Sequence, residues 1–442
     1  MGLGRVGLSL ASCFASKGHK AIGADVDTKK VQMINSGKSP IYEPGLQDLL
    51  TKAIRKGSLS CVTHTEDAVL DSDITFITVG TPGLRSGGID LRSVRAVASD
   101  VGRALRGKDG YHLVVVSSTV IPGTTESVVQ PVVEKFSRKS LGRTLGLCVN
   151  PEFLREGNAV YDIFHPHLII IGECDRRSGD ELKYLYKGFI DEKVPIVCMN
   201  PGTAELTKYA NNAFLATKIS FINTIGNICE RIPGADVVSV AKAIGMDPRI
   251  GPHFINAGAG FGGSCLPKDL RALAAFAKRI GYGETLLKAV SEVNENQCQR
   301  VYELARRTLK TLKDKRIGVL GLAFKPGTDE VREAPSIKLI RRLKKAGSKI
   351  TAYDPEAMKN AMRILPEVLY AASATKCLEG ADCIILLTEW EEFRKIKPEE
   401  FLSRMRTPVL IDARRIYDPV KYSENLHFAA IGLGSKTSDN SV

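Results

Sequence analysis

One of the chain's ten cysteines is placed for chemistry rather than for packing. The stretch GAGFGGSCLPKDL (258–270) surrounds Cys265 with glycines, which predict a flexible loop, and follows it with Pro267, which suits the first turn of a helix. A structural cysteine would lie in an apolar run instead. The helix N-terminus and nearby Lys268 modestly favour the thiolate. Because no zinc-ligand spacing surrounds it, the pattern predicts a nucleophile rather than a metal ligand, and no metal site.

A glycine pattern near the first residue predicts a dinucleotide site. Gly2, Gly4 and Gly7 form Gly-x-Gly-x-x-Gly ahead of an amphipathic helix, which lets the backbone approach a pyrophosphate. Asp25 ends the following strand at the distance where a carboxylate binds a ribose 2′-hydroxyl and repels a 2′-phosphate. The pattern therefore favours NAD over NADP. A thiol beside a nicotinamide suggests covalent oxidation of an aldehyde through a thioester.

The strand that should precede this glycine pattern is missing, because the sequence opens at Met1-Gly2. Either the start site is misassigned, which we favour, or the sheet has an unusual edge where its centre should be. The second interpretation would weaken NAD binding.

Strands and helices alternate along the rest of the N-terminal part, as in an open parallel sheet. The predicted strands lie at 73–82, 112–123, 145–153 and 167–172. Thr81-Pro82 and Ser118-Thr119 are the strand ends predicted to face the cofactor, with turn and capping roles as the alternative.

A long helix is predicted from 203 to 232, apolar nearly all round and therefore buried between domains or subunits. Lys208 and Asn212 are four residues apart and share one face of it. In so apolar a segment they must be paired or functional, unless the lysine extends to solvent.

A second α/β unit follows. One predicted strand begins near Lys315, and three others cover 350–355, 381–390 and 408–418. Its first loop (325–335) lacks the glycine pattern, so a phosphate site there would use Lys325 and Arg332. The fold class predicted is α/β, with two Rossmann-like open parallel-sheet domains joined by a long central helix and a helical middle segment. The predicted domains are an NAD-binding domain (1–198), a central helical domain that carries the Cys265 loop (199–300), a second Rossmann-like domain (301–430) and a disordered tail (431–442).

Composition narrows the choice of partners. The formal net charge of +13 favours anionic partners, but the basic residues are spread along the chain without a nucleic-acid-binding signature. No apolar run approaches the ~18 residues of a membrane span, and the N-terminal stretch is too interrupted for a signal sequence. Cysteines without CxxC pairs indicate reduced thiols of a cytoplasmic protein. We predict a phosphorylated small-molecule substrate, neither a nucleic-acid nor a membrane partner.

Several long stretches carry a resemblance to a known family. The chain resembles the UDP-glucose/GDP-mannose 6-dehydrogenases over nearly its whole length. The matching segments are INSGKSPIYEPGL (34–46), NPEFLREG (150–157), AELTKYANNAFLATKISFIN (204–223), DPRIGPHFINAGAGFGGSCLPKD (247–269) and GLAFKPGTDEVREAPS (321–336). The resemblance implies two Rossmann-like domains joined by a long helix at a dimer interface, with 199–300 as the dimerisation domain and 301–430 as the UDP-sugar-binding domain. It also implies two successive oxidations at C6 of a nucleotide sugar, from alcohol to aldehyde to carboxylate, with two NAD and one water consumed.

The resemblance assigns the catalytic roles. Cys265 would be the nucleophile that forms the thiohemiacetal and thioester, and Glu152 the general base in thioester hydrolysis. Lys208 and Asn212 would hold the oxyanion and the C6 oxygen. Asp269 would work with Lys208 through a water.

The resemblance also assigns binding roles. Glu156 would lie near the nicotinamide, Arg332 would reach the cofactor, Arg249 would bind sugar across the dimer interface, and Arg414 would hold the uridine diphosphate end. The cofactor residues it implies, together with those predicted above, are Gly2, Gly4, Arg5, Val6, Gly7, Asp25, Lys30, Thr81, Pro82, Ser118, Thr119, Glu156, Lys268 and Arg332. The substrate residues are Phe153, Leu154, Lys208, Asn212, Arg249, Phe254, Asn256, Phe261, Gly262, Phe324, Lys325 and Arg414.

The particular sugar stays open between branches of the family. The stretch around 247–264, the central helix and the C-terminal unit favour UDP-glucose. Leu266 and the INSGKSP stretch resemble the GDP-mannose branch, and UDP-N-acetylmannosamine ranks third. His165-Pro166-His167 departs from the family pattern and is either a solvated loop or, less favoured, a metal-binding His-x-His.

Two rival classes share part of these features. A two-electron hydroxyacid dehydrogenase would need neither Cys265 nor a second nucleotide-type domain. A non-catalytic nucleotide-sugar sensor could lose the cysteine or Lys208. The presence of both residues, with Glu152 and Asp269, favours the enzyme.

Overall fold

The computed structural model describes residues 1–435 of the 442-residue chain. The chain divides into two compact units, one from Met1 to Asn211 and one from Asn212 onwards. The division falls inside one continuous helix, Pro201–Cys229. The predicted fold class, with two sheet domains and a long helix linking them along the chain, is confirmed.

The described residues of the first unit contain two sheets. One pairs β1 (Ala21–Ala24) with β2 (Leu59–Val62) in parallel. The other has the order β3-β4-β5-β6-β7, and these strands span Ile74–Ile77, His112–Val116, Leu145–Val149, Ile169–Glu173 and Ile196–Met199. Every residue of β4 and β5 is buried, as expected for strands covered on both faces. Pairing is parallel except between β5 and β6, where the predicted parallel arrangement is wrong.

Helices cover these strands. They are α1 (Arg5–Ser16), α2 (Thr28–Asn35), α3 (Leu46–Lys56), α4 (Thr65–Leu70), α5 (Arg92–Arg106), α6 (Gln130–Ser137), α7 (Ala159–Phe164) and α8 (Arg176–Lys187), and the long helix beginning at Pro201 is α9. A π-helical turn, Thr125–Val129, leads into α6. Asp27 caps α2 by accepting hydrogen bonds from the backbone N–H groups of Lys29 and Lys30.

Met1 and Gly2 lie between the two sheets of the first unit. The Met1 amino group donates to the Phe76 carbonyl (2.8 Å), and the Gly2 N–H donates to the Ala24 carbonyl (2.7 Å). Burial lowers the pKa of the Met1 amino group to about 6. Beside them, residues of α1, β1 and β3 line a cavity of about 370 Å³. These two residues occupy the place where the strand ahead of the glycine pattern was expected.

The second unit has a six-stranded, wholly parallel sheet. Its order is β10-β9-β8-β11-β12-β13, which is the order 3-2-1-4-5-6 of a doubly wound nucleotide-binding sheet. The strands span Arg316–Leu320 (β8), Lys349–Tyr353 (β9), Leu369–Tyr370 (β10), Cys383–Leu386 (β11), Val409–Asp412 (β12) and His427–Ala430 (β13). The order reverses between β8 and β11, so a ligand site is expected at the carboxyl ends of these strands.

Helices of the second unit follow the end of α9 at Cys229. They are α10 (Val237–Gly245), α11 (Leu266–Arg279), α12 (Thr285–Leu309), α13 (Pro335–Lys345), α14 (Met358–Ile364), α15 (Ala374–Leu378), α16 (Glu391–Arg394), α17 (Pro398–Arg404) and α18 (Pro419–Ser423). Along the described part of the chain, no helix combines the length and the apolar character needed to cross a bilayer.

The residues after β13 differ from the disordered tail predicted from 431 onwards. The Gly432 N–H donates to the Glu230 carboxylate (3.0 Å), and the Gly434 N–H donates to the Ala235 carbonyl (2.8 Å). Ser435 accepts from the Gly234 N–H (3.0 Å). These backbone bonds fix 431–435, where the prediction is wrong, and 436–442 lie outside the described residues.

Candidate functional site

The first turn of α1 has the geometry of an anion site. Gly4 is its N-cap, and α1 has no acidic residue in its first turn. A Cβ placed on Gly4 would meet no atom within 4 Å, so a ligand can approach the backbone there. A Cβ on Gly7 would lie 2.0 Å from the Gly2 carbonyl oxygen, so only glycine fits. Arg5 and Val6, the other predicted cofactor residues of this segment, open the helix and are half-buried.

Asp25 follows β1 and faces this turn. Its carboxylate accepts hydrogen bonds from the Leu3 N–H (2.8 Å) and from the Lys30 ammonium (2.7 Å). Burial alone would raise the pKa of Asp25, but the bonds from Lys30 and from the N–H groups of Asp27 and Leu3 outweigh it and hold the pKa below its usual value. The carboxylate is therefore ionised, which fits a ribose hydroxyl and disfavours a 2′-phosphate. Together with the open Gly4 turn, it makes this segment fit NAD.

The strand ends after β3 and β4 are held by their own hydroxyl groups. Thr81 donates to the Thr119 carbonyl (2.8 Å), and Ser118 donates to the Val79 carbonyl (2.7 Å). Both side chains are buried, whereas Pro82 is exposed. These bonds link the two predicted cofactor-facing segments, and their contact with the cofactor stays a prediction.

Lys208 is buried in the first unit and bonded to the loop after β5. Its Nζ donates to the Glu152 carbonyl (2.5 Å), lies 3.4 Å from Glu152 Oε1 and sits 5.2 Å from the centroid of the Phe153 ring. The Leu154 N–H donates to the Glu152 carboxylate (2.6 Å). The predicted need for a partner is thus met, since a buried ammonium is tolerated when it is paired and hydrogen-bonded.

The other half of the predicted catalytic set lies in the second unit. Asn212, one turn after Lys208 on α9, donates its amide to Asp269 Oδ2 (2.7 Å). Lys268 donates to Asp269 Oδ1 (2.5 Å), and the Asp269 side chain is 1% exposed. The family resemblance pairs Asp269 with Lys208 through a water; the direct bonds of Asp269 to Asn212 and Lys268 were not predicted.

Cys265 is the N-cap residue of α11, with Pro267 in the first turn as predicted. It is exposed, whereas the other nine cysteines, all within the described residues, are buried or half-buried. Its Sγ lies 3.5 Å from Ser264 Oγ, and its carbonyl accepts from the Asp269 N–H (2.8 Å). The backbone thus places an accessible thiol one helical turn before the buried Asp269.

The glycine-rich loop before Cys265 is buried rather than flexible, so that prediction is wrong. The Gly258 N–H donates to Asn223 Oδ1 (2.8 Å), and the Phe261 N–H donates to Asn294 Oδ1 (2.7 Å). A Cβ on Gly262 would lie 2.6 Å from the Glu333 carbonyl oxygen. The glycines allow close packing, which fixes the backbone that leads to the thiol.

Residues predicted for the nucleotide end cluster after β8 and β12. Arg414 is mostly buried and donates to the carbonyls of Leu387 (2.7 Å) and Phe324 (3.2 Å). The Lys325 Nζ lies 5.8 Å from the centroid of the Phe324 ring. Arg332 is bonded to Glu330 and is largely exposed. These positions border the reversal of strand order, where a ligand is expected.

Three remaining predicted sugar residues lie on the segment between α10 and α11. Arg249 is 87% exposed and forms an ion pair with Asp247 (2.6 Å). Phe254 has a positive φ of 63° and is exposed, as is Asn256. The described structure leaves all three open to a ligand or a partner.

No group of three or more His, Cys, Asp or Glu side chains among the described residues is arranged to hold a metal ion. His165 stacks on Tyr161 with ring centroids 4.4 Å apart. His167 packs edge-on against Phe153 at 5.8 Å. The two imidazoles thus have different ring partners.

Comparisons with known proteins cover nearly the whole chain. Sequence profiles of the UDP-glucose/GDP-mannose dehydrogenase family match in three parts: the NAD binding domain at 1–190, the central domain at 202–296 and the UDP binding domain at 318–419. A UDP-glucose 6-dehydrogenase of Haloferax volcanii is 42% identical, over 94% of this chain and 96% of that protein. A GDP-mannose 6-dehydrogenase of Pseudomonas aeruginosa is 40% identical over 80% of each. The solved UDP-glucose dehydrogenase of Pyrobaculum islandicum superimposes with a TM-score of 0.91 at 40% identity, covering 98% of this chain and 96% of that one.

Proposed function

The chain belongs to the UDP-glucose/GDP-mannose dehydrogenase family, and on that basis we propose that it oxidises UDP-glucose at C6 to UDP-glucuronate. The observation that carries the proposal is Cys265, an exposed thiol one turn before the buried, hydrogen-bonded Asp269. A two-electron hydroxyacid dehydrogenase would have no use for such a thiol, and neither would a non-catalytic sensor.

NAD is the cofactor of the family's N-terminal domain, and the residues around α1 fit it. The backbone at Gly2, Gly4 and Gly7 would hold the pyrophosphate, and Asp25 the adenosine ribose. Bound NAD supplies a hydride acceptor for each of two oxidations. The contacts of Thr81-Pro82 and Ser118-Thr119 with NAD stay predictions from their strand ends, and those of Lys268 and Glu156 stay predictions from the resemblance.

The first oxidation turns the C6 alcohol into an aldehyde. We assign the C6 oxygen to Lys208 and Asn212, which hold it while the hydroxyl proton leaves to a water that Lys208 and Asp269 orient. The buried bonds of Asn212 with Asp269 and of Lys208 with Glu152 support these roles, because donors fixed in advance cost little reorganisation during reaction.

The second oxidation uses the thiol. The Cys265 thiolate adds to the aldehyde carbon as a thiohemiacetal, which loses a hydride to become a thioester. A water activated by Glu152 attacks the thioester carbon, the C–S bond breaks, and the carboxylate and the thiol are released. Each UDP-glucose thus consumes two NAD and one water and yields two NADH.

Preference for UDP-glucose over GDP-mannose is supported by the relatives: the UDP-glucose 6-dehydrogenase of Haloferax volcanii matches 94% of this chain, whereas the GDP-mannose 6-dehydrogenase of Pseudomonas aeruginosa matches 80%. Residues 318–419 match the family's UDP binding domain, and we assign the diphosphate end to Lys325 and Arg414 at its strand ends. The substrate residues Phe153, Leu154, Phe261, Gly262 and Phe324 complete the sugar contacts implied by the resemblance.

A substrate panel tests the proposal. We expect NAD-dependent NADH formation with UDP-glucose at a kcat/KM at least about tenfold above that with GDP-mannose or UDP-N-acetylmannosamine. Faster turnover of GDP-mannose would assign the protein to the GDP-mannose branch of the family instead. Turnover of a short-chain 2-hydroxy acid alone, or tight nucleotide-sugar binding without any NADH, would favour one of the rival classes.

We further propose a homodimer formed through α9. Phe214, Phe221 and Ile228 are exposed at seven-residue spacing along this helix, so they form an apolar stripe of the kind that marks a protein interface. Because the cysteines lack CxxC pairs and indicate reduced thiols, we place the dimer in the cytoplasm.

A further inference from the structure

We propose that Glu43 is a positioning residue that ties the first turn of α1 to the loop carrying Glu152 and Glu156. The inference rests on the proposed function for its catalytic consequence, but it concerns a residue to which neither the sequence patterns nor the family resemblance gave a role. Glu43 lies in the YEPGL segment, between α2 and α3.

Glu43 is a buried carboxylate whose two oxygens are both used. Its side chain is 0% exposed. Oε1 accepts the Ala159 N–H (2.7 Å), and Oε2 accepts the Gly157 N–H (3.1 Å) and the Arg5 guanidinium (3.0 Å). Removing a carboxylate from water is costly, and charge-assisted hydrogen bonds of this kind offset the cost. The Ala159 N–H, the Gly157 N–H and the Arg5 guanidinium are therefore held in place by Glu43.

The donors belong to two functional segments. Arg5 is the first residue of α1, directly after the Gly4 turn that fits the pyrophosphate, and it also donates to the Tyr42 carbonyl (2.6 Å). Gly157 directly follows Glu156 and has a positive φ of 80°, which turns the chain into α7. One carboxylate therefore fixes the start of the cofactor helix and the end of the catalytic loop.

The loop is anchored at its other end by Asn150. The Asn150 amide donates to the Ile170 carbonyl (2.8 Å), and its oxygen accepts from the Tyr186 hydroxyl (2.5 Å). Along the chain, Glu152 and Glu156 lie between Asn150 and Gly157, the residue that Glu43 binds. Without Glu43 the loop keeps its bonds at Asn150 and at the Glu152 carbonyl but loses those at Gly157 and Ala159. A displacement of about 1 Å at a catalytic group can cost roughly a hundredfold in rate.

The test compares Glu43→Gln with a matched control. Asp382→Asn also removes a buried carboxylate bonded to an arginine, Arg406 (2.6 Å), and to a backbone N–H, that of Arg316 (2.8 Å), but it lies at the start of β11 in the second unit. We expect Glu43→Gln to raise the Kd for NAD about tenfold. With UDP-glucose we expect a burst of NADH followed by a steady state slowed about tenfold, because hydrolysis of the thioester depends on Glu152.

Binding of NAD alone keeps the test independent of the sugar. If no nucleotide sugar is turned over, the proposed function fails while the Kd still reports on Glu43. Glu43→Asp, which keeps the charge, serves if the glutamine variant does not fold, and we expect it to restore part of the NAD affinity. The proposal would be overturned if Glu43→Gln changed the Kd for NAD and the steady-state rate no more than Asp382→Asn does, with both variants folded to the same extent.

Discussion

Replacing Cys265 by serine is expected to lower kcat for UDP-glucuronate formation at least about a thousandfold, because loss of a covalent nucleophile removes a whole reaction path. A serine hydroxyl is barely ionised near neutral pH, so it adds to the aldehyde far less readily than a thiolate. Binding of NAD and UDP-glucose should change little, since the exposed side chain is replaced by a smaller one. Quenched-flow analysis of sugar products, with fluorescence titration for binding, measures both.

Buried thiols such as Cys13 and Cys61 are poor substitutes for Cys265. Burial raises the pKa of Cys13 to about 12 and that of Cys61 to about 11, so both stay protonated at neutral pH. Cys174→Ser is the matched control: this half-buried thiol, whose pKa burial raises to about 12, is expected to be dispensable. Near wild-type UDP-glucuronate production by Cys265→Ser would contradict the thioester mechanism.

Replacing Lys208 by methionine is expected to lower kcat by about two to three orders of magnitude, in the range that loss of one oxyanion-stabilising group produces. Methionine keeps much of the buried volume but removes the ammonium, which donates to the Glu152 carbonyl and faces the Phe153 ring. Both the C6 oxygen and the Glu152 loop should lose support. Stopped-flow recording of the first NADH, under single-turnover conditions, isolates the alcohol oxidation.

Lys183→Met supplies the control for this lysine. Lys183 is half-buried on α8 in the same unit and forms an ion pair with Asp180 (3.2 Å). We expect its rates to match those of the wild type. A Lys208→Met enzyme whose first NADH forms at an unchanged rate would show that the ammonium serves packing of the loop and not the reaction.

Local patterns predicted the parts of the site that depend on neighbouring residues. Glycines, Pro267 and the following polar residues located the N-terminus of α11, and α9 carries Lys208 and Asn212 on one continuous helix as predicted. The sheet of the second unit is open and parallel, as predicted. Periodicity and capping act over a few residues, so they can be recognised without tertiary information.

Contacts between distant residues were not predictable in this way. Glu43 meets Gly157 and Ala159 across more than a hundred residues, and Asp269 meets Asn212 across 57. The glycine content of the loop before Cys265 led to the wrong prediction of a flexible loop. Glycine permits both flexibility and close packing, and tertiary contacts make this loop closely packed. The catalytic roles themselves came from the family resemblance, since spacing alone does not assign a base or an oxyanion donor.

The most direct test of the proposed four-electron oxidation counts NADH formed per UDP-glucose, with UDP-glucose limiting and NAD in excess. We expect two NADH for each UDP-glucose consumed, with UDP-glucuronate as the sugar product. One NADH per UDP-glucose, with an aldehyde as the product, would contradict the Cys265 thioester and leave a simple alcohol dehydrogenase.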